Sequence, residues 1–386
     1  MDQRQKWDVI IVGAGALGSF HALFAAQKGL RVLLLEKDLR PSEATVRNFG
    51  QVIPSGMKKG EWFEYGRTSL EHYKSIQQEF DISVRRNGTT YLASTAGELQ
   101  VLAEKAAEYR NIGYECEELD REQCLARFQA VKSEYCIGGL HFPQEVSIEP
   151  ESMIHRLHQY LIAKYRVDYR PCTPVRECVV RDGQCEATDS SGHKYQASKL
   201  FICNGRDFKF LMPDVFSNSD LDLVKLQMMS TYPMKEIKLP GSVLSGLSLR
   251  RYKGFASCPS YSTLTSTYLK PDLKEWGIHV LFKQALDGSI IIGDSHEYAE
   301  VSTCDSIDYR IEDHVNQLIL DEARQIVDLP SWAIRRHWNG FYSQSRSSEI
   351  FQKTVDNRIH IVTGIGGKGM TTSCGFSKSN IERLFA

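Results

Sequence analysis

Apolar and polar positions switch period along the chain, and each switch marks an element. Asp8-Val9-Ile10-Ile11-Val12 is a short β-branched run, the pattern of a buried parallel strand. It enters Gly13-Ala14-Gly15-Ala16-Leu17-Gly18, and Leu17, Phe20, Leu23 and Phe24 then recur at helical spacing as far as Gly29. Val32-Leu33-Leu34-Leu35 reads as a second strand, closed by Glu36. Helical spacing returns at Phe63, Leu70, Tyr73, Ile76 and Phe80, and again at Leu99, Leu102, Ala106 and Tyr109. Short strands are predicted at 83–85 and 89–93. Asp120 is placed to cap a short helix reaching Ala126, and Pro150 to open one carrying Ile154, Leu157 and Leu161.

From Arg166 the pattern turns to β, with runs at 167–169, 175–180 and 199–203 and turns at Asp182-Gly183 and Ser191-Gly192. The last run ends in Asn204-Gly205. Residues 222–300 are strand-rich, with strands expected at 223–232, 248–255, 279–284 and 289–292 and a hairpin at Asp287-Gly288. Ile311, Val315, Leu318, Ile319 and Ile326 mark one helix, closed by Pro330. The tail returns to an α/β habit: a strand at 358–363, a glycine-rich turn from Gly364 to Thr372, and a closing helix. The prediction is an α/β protein: a Rossmann-like nucleotide-binding domain made of separated pieces, with an inserted α+β domain on a mostly antiparallel sheet.

The opening turn carries the first chemistry. Gly13 permits a tight turn, Gly15 lets a pyrophosphate approach bare backbone, and Gly18 lets the helix pack close to the strand. The helix start offers free N–H groups and partial positive charge to phosphates. Glu36 can accept both ribose hydroxyls of an adenosine, which argues against a 2′-phosphate and hence against NADP; it does not separate NAD from FAD. A simple NAD domain would start a second helix after Glu36. Here the polar stretch 37–51 follows, with Arg47, Asn48, Gly50 and Gln51 suited to hydrogen-bond an extended ligand. The tail supplies a second strand-to-helix turn, whose helix start at 367–372 could face the anionic edge of a reduced flavin.

Composition narrows the classes. The 386 residues carry a net charge of −1, so no global field recruits nucleic acid or an anionic membrane. Hydrophobic residues at 42% and charged residues at 25% are ordinary for a water-soluble globular chain. The ten cysteines form no Cys-x-x-Cys pair, so no metal site is expected, and they read as thiols of a reducing compartment. Met1 to Trp7 is short and polar, no membrane span is predicted, and a cytoplasmic location is the default expectation.

The opening fingerprint, Arg47-Asn48-Phe49-Gly50, the strand end 201–205 and the Gly364 to Thr371 turn together resemble the D-amino acid oxidase superfamily of FAD enzymes, which includes glycine and sarcosine oxidases. Gly293-Asp294-Ser295-His296-Glu297-Tyr298 and 369–373 look like a subgroup encoded beside phosphonate-utilisation genes. The resemblance implies an FAD-binding domain from 1–80, 145–215 and 335–386, and a substrate domain from 81–144 and 216–334. It implies that Gly13, Gly15, Ala16, Leu17 and Gly18 meet the pyrophosphate, and that Glu36 and Lys37 meet the adenosine. Thr45, Arg47, Asn48, Gly50, Gln51 and Gly340 would line the flavin and its linker. Val175, Asn204 and Gly205 would close on the ADP part. Gly364, Gly366, Gly367, Lys368, Gly369, Met370 and Thr371 would meet the ribityl chain and pyrimidine edge. Sarcosine oxidases attach flavin through a cysteine near the position of Phe341-Tyr342; none stands here, which implies non-covalent FAD.

The implied reaction is hydride transfer from a C–H beside nitrogen to flavin, giving an imine that hydrolyses. The substrate would be a small anionic amine, amino acid or aminophosphonate, and oxygen or another acceptor would reoxidise the flavin. An anionic tail needs a cation, and the candidates are Arg250 and Arg251 with Tyr252 on the inserted sheet, Arg346, and Lys368. His296 is a further candidate in the site. The alternatives are an FAD-dependent 2-hydroxy-acid dehydrogenase with His296 as base, an NAD dehydrogenase, and a non-catalytic nucleotide-binding subunit.

Overall fold

A computed structural model describes residues 7–266 and 270–386; the polar leader Met1 to Lys6 read above lies outside the described residues. Strand β1, Trp7–Val12, leads through the glycine turn into helix α1, Ala16–Gln27, and on to β2, Val32–Leu35. β1 lies between β2 and the strand Lys194–Ile202, both parallel to it, and Asp168–Arg170 and Ile359–Thr363 extend the parallel run on either side. The β-branched and leucine side chains of β1 and β2 are buried, because helices cover one face and further chain the other. Phe351–Val355 adds an antiparallel edge. The first sheet thus draws strands from the start, middle and end of the chain.

The second sheet runs from Glu297–Glu300 through Leu221–Thr231, Ile290–Gly293, Leu281–Gln284, Ser242–Leu244, Thr89–Ala93 and Gly138–Phe142 to Glu117–Asp120. Its pairings are antiparallel except that of Ser242–Leu244 with Thr89–Ala93. A small pair, Gln51–Val52 with Val146–Ser147, lies outside both sheets. Among the described residues no helix is long and apolar enough to cross a membrane.

Three expectations need correction. Ile334–Ser345 pairs along its length with Leu221–Thr231, so 335–345 belongs to the second sheet, and the first sheet resumes only at Phe351. Residues 248–255 are not a strand but a helix, Gly246–Arg251, followed by a 3₁₀ turn, Lys253–Phe255. The helical turn lets Arg250 reach both the Glu98 carboxylate (2.6 Å) and the Gly246 carbonyl (3.2 Å) while Ser248 and Leu249 are buried. The run at 83–85 forms only a bridge between Arg85 and Ser147. The caps at Asp120 and Pro150 form where the sequence places them.

Candidate active site

The nucleotide turn is packed to its limit. A Cβ on Gly18 would lie 1.9 Å from the Gly13 carbonyl oxygen, and one on Gly13 (φ +97°) would lie 2.3 Å from that of Cys203. The Ala14 N–H donates to Glu36 Oε2 (2.9 Å), while its carbonyl accepts from Ser19 Oγ (2.9 Å) and faces His158 Nε2 (3.1 Å). α1 opens at Gly15, which has no side chain to cap it; Thr45 Oγ1, from a separate loop, accepts the Ala16 N–H (3.0 Å), and Leu17 completes the first turn. Burial pushes the Glu36 carboxyl up, against the opposing N–H groups of Asp38 and Ala14. Thr173 donates to the Glu36 carbonyl (2.7 Å), so the segment leading to Val175 runs beside the acid. Lys37 is exposed there, and Val175 is buried. Beyond the turn, among the described residues, Asn204 Oδ1 is buried without a partner and a Cβ on Gly205 would meet nothing within 4 Å.

The flavin-side loop behaves differently from expectation at two residues. Asn48 spends its side chain on its own loop, donating to the Ala44 and Thr45 carbonyls and accepting the Gly50 N–H (2.7 Å). Arg47 donates to the carbonyls of Ser42 (2.6 Å) and Asn339 (3.1 Å), fastening the loop to the second sheet beside Gly340. These side chains shape the loop rather than offer themselves to a ligand. Gln51 Nε2, by contrast, is buried and unpartnered. Gly50 packs on the Ile148 carbonyl, 2.3 Å from where its Cβ would be.

Thr371 joins the two ends of the chain. Its hydroxyl takes the Ile53 N–H (3.1 Å) and reaches the Gln51 carbonyl (3.3 Å), and Tyr73 donates to the Met370 carbonyl (3.3 Å). Gly364 and Gly366 both hold φ +69°, and the last helix, Gly369–Leu384, starts without a side-chain cap. Gly367 is exposed beside the Tyr342 hydroxyl. Lys368 does not reach into the cleft: its Nζ binds Glu349 (3.0 Å) and lies 4.9 Å over the Trp62 ring. Two helix starts without a capping side chain at the N-cap residue itself, amide atoms of Gln51 and Asn204 that have no partner among the described residues, and the open space at Gly205 fit an elongated dinucleotide lying across them.

The substrate side is built from the second sheet and its covering helix. Arg251 donates to the Tyr298 hydroxyl (3.0 Å), and its charge acts on the nearby Tyr342 phenol. Arg251 and Tyr252 are enclosed by protein yet partly accessible, as side chains lining a cleft are. Phe49 borders the cleft from the flavin loop, 3.3 Å from a Cβ placed on Gly293. Asp294 Oδ1 lies 2.8 Å from His279 Nε2 and 3.9 Å from His296 Nδ1. Burial opposes ionisation of Asp294, but the adjacent imidazoles and Arg251 outweigh it and keep the carboxyl below its usual range. His296 Nδ1 faces the Gly277 carbonyl (3.2 Å), which can only accept, so Nδ1 carries the hydrogen and Nε2 keeps its lone pair. Among the described residues Nε2 has no hydrogen-bond partner, and burial, reinforced by Arg251, holds the ring neutral. The ligand atoms of His279, Asp294 and His296 lie within 4.8 Å of one another, but Arg251 adds positive charge beside them, which disfavours a cation.

Two proposed cations are placed elsewhere. Arg346 is drawn to the surface by Glu300 and Asp222 (3.6 Å), and Arg250 is neutralised by Glu98. Tyr298, Tyr342, Asp294 and His279 join the expected residues Arg251, Tyr252 and His296 around the cleft. Asp294, His296 and Tyr298 do follow the period of two of a strand face, a signal available in the sequence.

A fold that sets one coenzyme between a first-strand turn and a last-helix turn, with an ionisable cleft alongside, is that of a flavin oxidoreductase. Residues 8–381 match the family model DAO, FAD dependent oxidoreductase, and the chain belongs to that family: it is an FAD-dependent enzyme. Its fold is similar to that of glycine oxidase from Geobacillus kaustophilus (TM-score 0.76, 16% identity, covering 98% of this chain and 95% of that one). L-proline dehydrogenase from P. horikoshii is similar too (TM-score 0.76, 15% identity, 98% and 93% covered). So is FAD-bound L-alpha-glycerophosphate oxidase from Mycoplasma pneumoniae (TM-score 0.75, 15% identity, 98% and 95% covered). No curated protein sequence matches the chain.

Proposed function

We propose that this enzyme oxidises the C–N bond of a small anionic amine, an amino acid or aminophosphonate, in the cleft lined by Arg251. The observation that carries this reading is a part-buried arginine that donates to the Tyr298 hydroxyl (3.0 Å), with the Tyr342 phenol beside it. Because the Tyr298 oxygen accepts from Arg251, its own O–H is free to turn toward a ligand oxygen. One guanidinium and two phenols suit a carboxylate, and suit a tetrahedral phosphonate still better. In this reading His296 Nε2 accepts the ammonium proton, with the Asp294 carboxylate beside the ring (3.9 Å) offsetting the charge it gains, which leaves the nitrogen lone pair free to expel hydride. Bound FAD supplies the hydride acceptor, and water hydrolyses the resulting imine. Two of the similar structures are named for glycine and L-proline, which are amino acids.

The test is anaerobic mixing of the FAD-loaded enzyme with amino acids, N-methyl amino acids and aminophosphonates, read as flavin bleaching. Arg251→Met is expected to lower kcat/KM for an anionic amine by about 10²–10³-fold, from loss of a charge-assisted pair of about 3–4 kcal/mol. Bleaching unchanged by that substitution defeats the reading. Release of all the flavin by acid precipitation is the expected result for non-covalent FAD.

A second reading, oxidation of a 2-hydroxy acid, is favoured by the same neutral imidazole, since an alcohol needs a base. L-alpha-glycerophosphate oxidase, among the similar folds, is named for a hydroxyl substrate. Bleaching by hydroxy acids but not amines decides for it. Replacing anaerobic buffer with aerated buffer then tells whether oxygen or another acceptor restores the oxidised flavin.

A further inference from the structure

Glu349 stands between two lysines, each next in sequence to a residue that borders the surroundings of Arg251. Its Oε1 binds Lys253 Nζ (2.8 Å), the residue after Tyr252, and its Oε2 binds Lys368 Nζ (3.0 Å), the residue after Gly367. Gly367 itself lies beside the Tyr342 hydroxyl, on which the Arg251 charge acts. Lys368 is also fixed over the Trp62 ring, so its charge is held in place rather than free to swing into solvent. Burial opposes ionisation of Glu349, but the two lysines outweigh it and keep the carboxylate charged. Without Glu349, the ammonium groups of Lys253 and Lys368 would lose the carboxylate that joins them.

We propose that Lys253 and Lys368 form an outer anion subsite for carboxylates or phosphonates, and that Glu349 is its built-in occupant. An arriving anion exchanges with the Glu349 carboxylate, is held at the mouth, and passes inward to Arg251. The exchange keeps the lysines neutralised at every stage, so the cleft avoids both a bare cation pair and a trapped substrate. This rests on the reading of the cleft as one for anionic substrates.

The probe is inorganic phosphate, titrated against the FAD-loaded enzyme and followed by perturbation of the flavin spectrum. Glu349→Gln is expected to tighten phosphate binding by about tenfold, and adding Lys368→Met to return it to the wild-type value. The same titration in an Arg251→Met background separates the two sites: tightening that persists there belongs to the mouth even if Arg251 plays no part in turnover. Phosphate affinity unchanged by Glu349→Gln, or unaffected by Lys368→Met in that background, overturns the subsite. If Glu349→Gln fails to load FAD, the Lys253→Met, Lys368→Met double variant serves instead. It is expected to lose kcat/KM for an anionic amine at low salt but not for a neutral one. Equal effects on both amines overturn the proposal.

Discussion

Glu145 shows what a single residue can cost and control. It is fully buried, and its Oε1 takes the Ser55 N–H (2.7 Å) and the Tyr114 hydroxyl (3.0 Å). Burial pushes its carboxyl up to about 7 from 4.5. The folded state therefore favours the proton. Its stabilising contribution is complete below the unfolded value and is lost as pH rises through the folded one, about 3 kcal/mol in all. Glu145→Gln keeps the shape and removes the titration, so its unfolding free energy is expected to fall less than that of the wild type between pH of about 5 and about 8 in urea melts. The cleft was only partly legible at this scale. Arg251 and His296 stood out by type and position. Tyr298 shares the period of two with His296, but His279 and Tyr342 come from distant parts of the chain, and no short-range pattern reports that they meet.

At the scale of elements, the turn from β1 into α1 was legible because its demand is local. The Cβ that Gly18 lacks has nowhere to go, 1.9 Å from the Gly13 carbonyl. Gly18→Ala is expected to yield folded but colourless protein, or protein binding FAD at least about tenfold more weakly, measured by flavin fluorescence on titration; wild-type affinity would refute this. The helix Gly246–Arg251 was not legible, because Leu247 and Leu249 alternate like a strand over too short a run to show any other period. What decides it is remote: Glu98, on another helix, pairs with Arg250 (2.6 Å) and packs where a side chain on Gly246 would stand. The pairing of Ile334–Ser345 with Leu221–Thr231 is not legible for a related reason. Strand propensity says nothing about which sheet a strand joins.

At the scale of the molecule, buried imidazoles tie the pieces of the first sheet together. His21 in α1 meets Ser377 Oγ (2.9 Å) and Asn380 Nδ2 (2.9 Å) of the last helix, and His158 meets Ser19 Oγ (2.9 Å). Burial lowers both to about 4 from 6.5. The folded state favours their neutral form while the unfolded chain takes up protons below the ordinary value, so stability falls as pH drops from 6.5 toward 4. The expected slope is at most about 2.7 kcal/mol per pH unit from the pair, best read as melting temperature in the Glu145→Gln background, where the opposing carboxyl is silent. A flat acid limb would show that these rings are not held neutral.

The join between α1 and the last helix also orders events at the ribosome. The fingerprint emerges first, yet Thr371, which fastens the Gln51 segment, and Ser377, which meets His21, follow their partners by 318 and 356 residues. The coenzyme cradle therefore stays open until the helix Gly369–Leu384 has left the exit tunnel. Nascent chains stalled before that helix should remain colourless however long synthesis pauses, and yellow colour should report that it has emerged and docked.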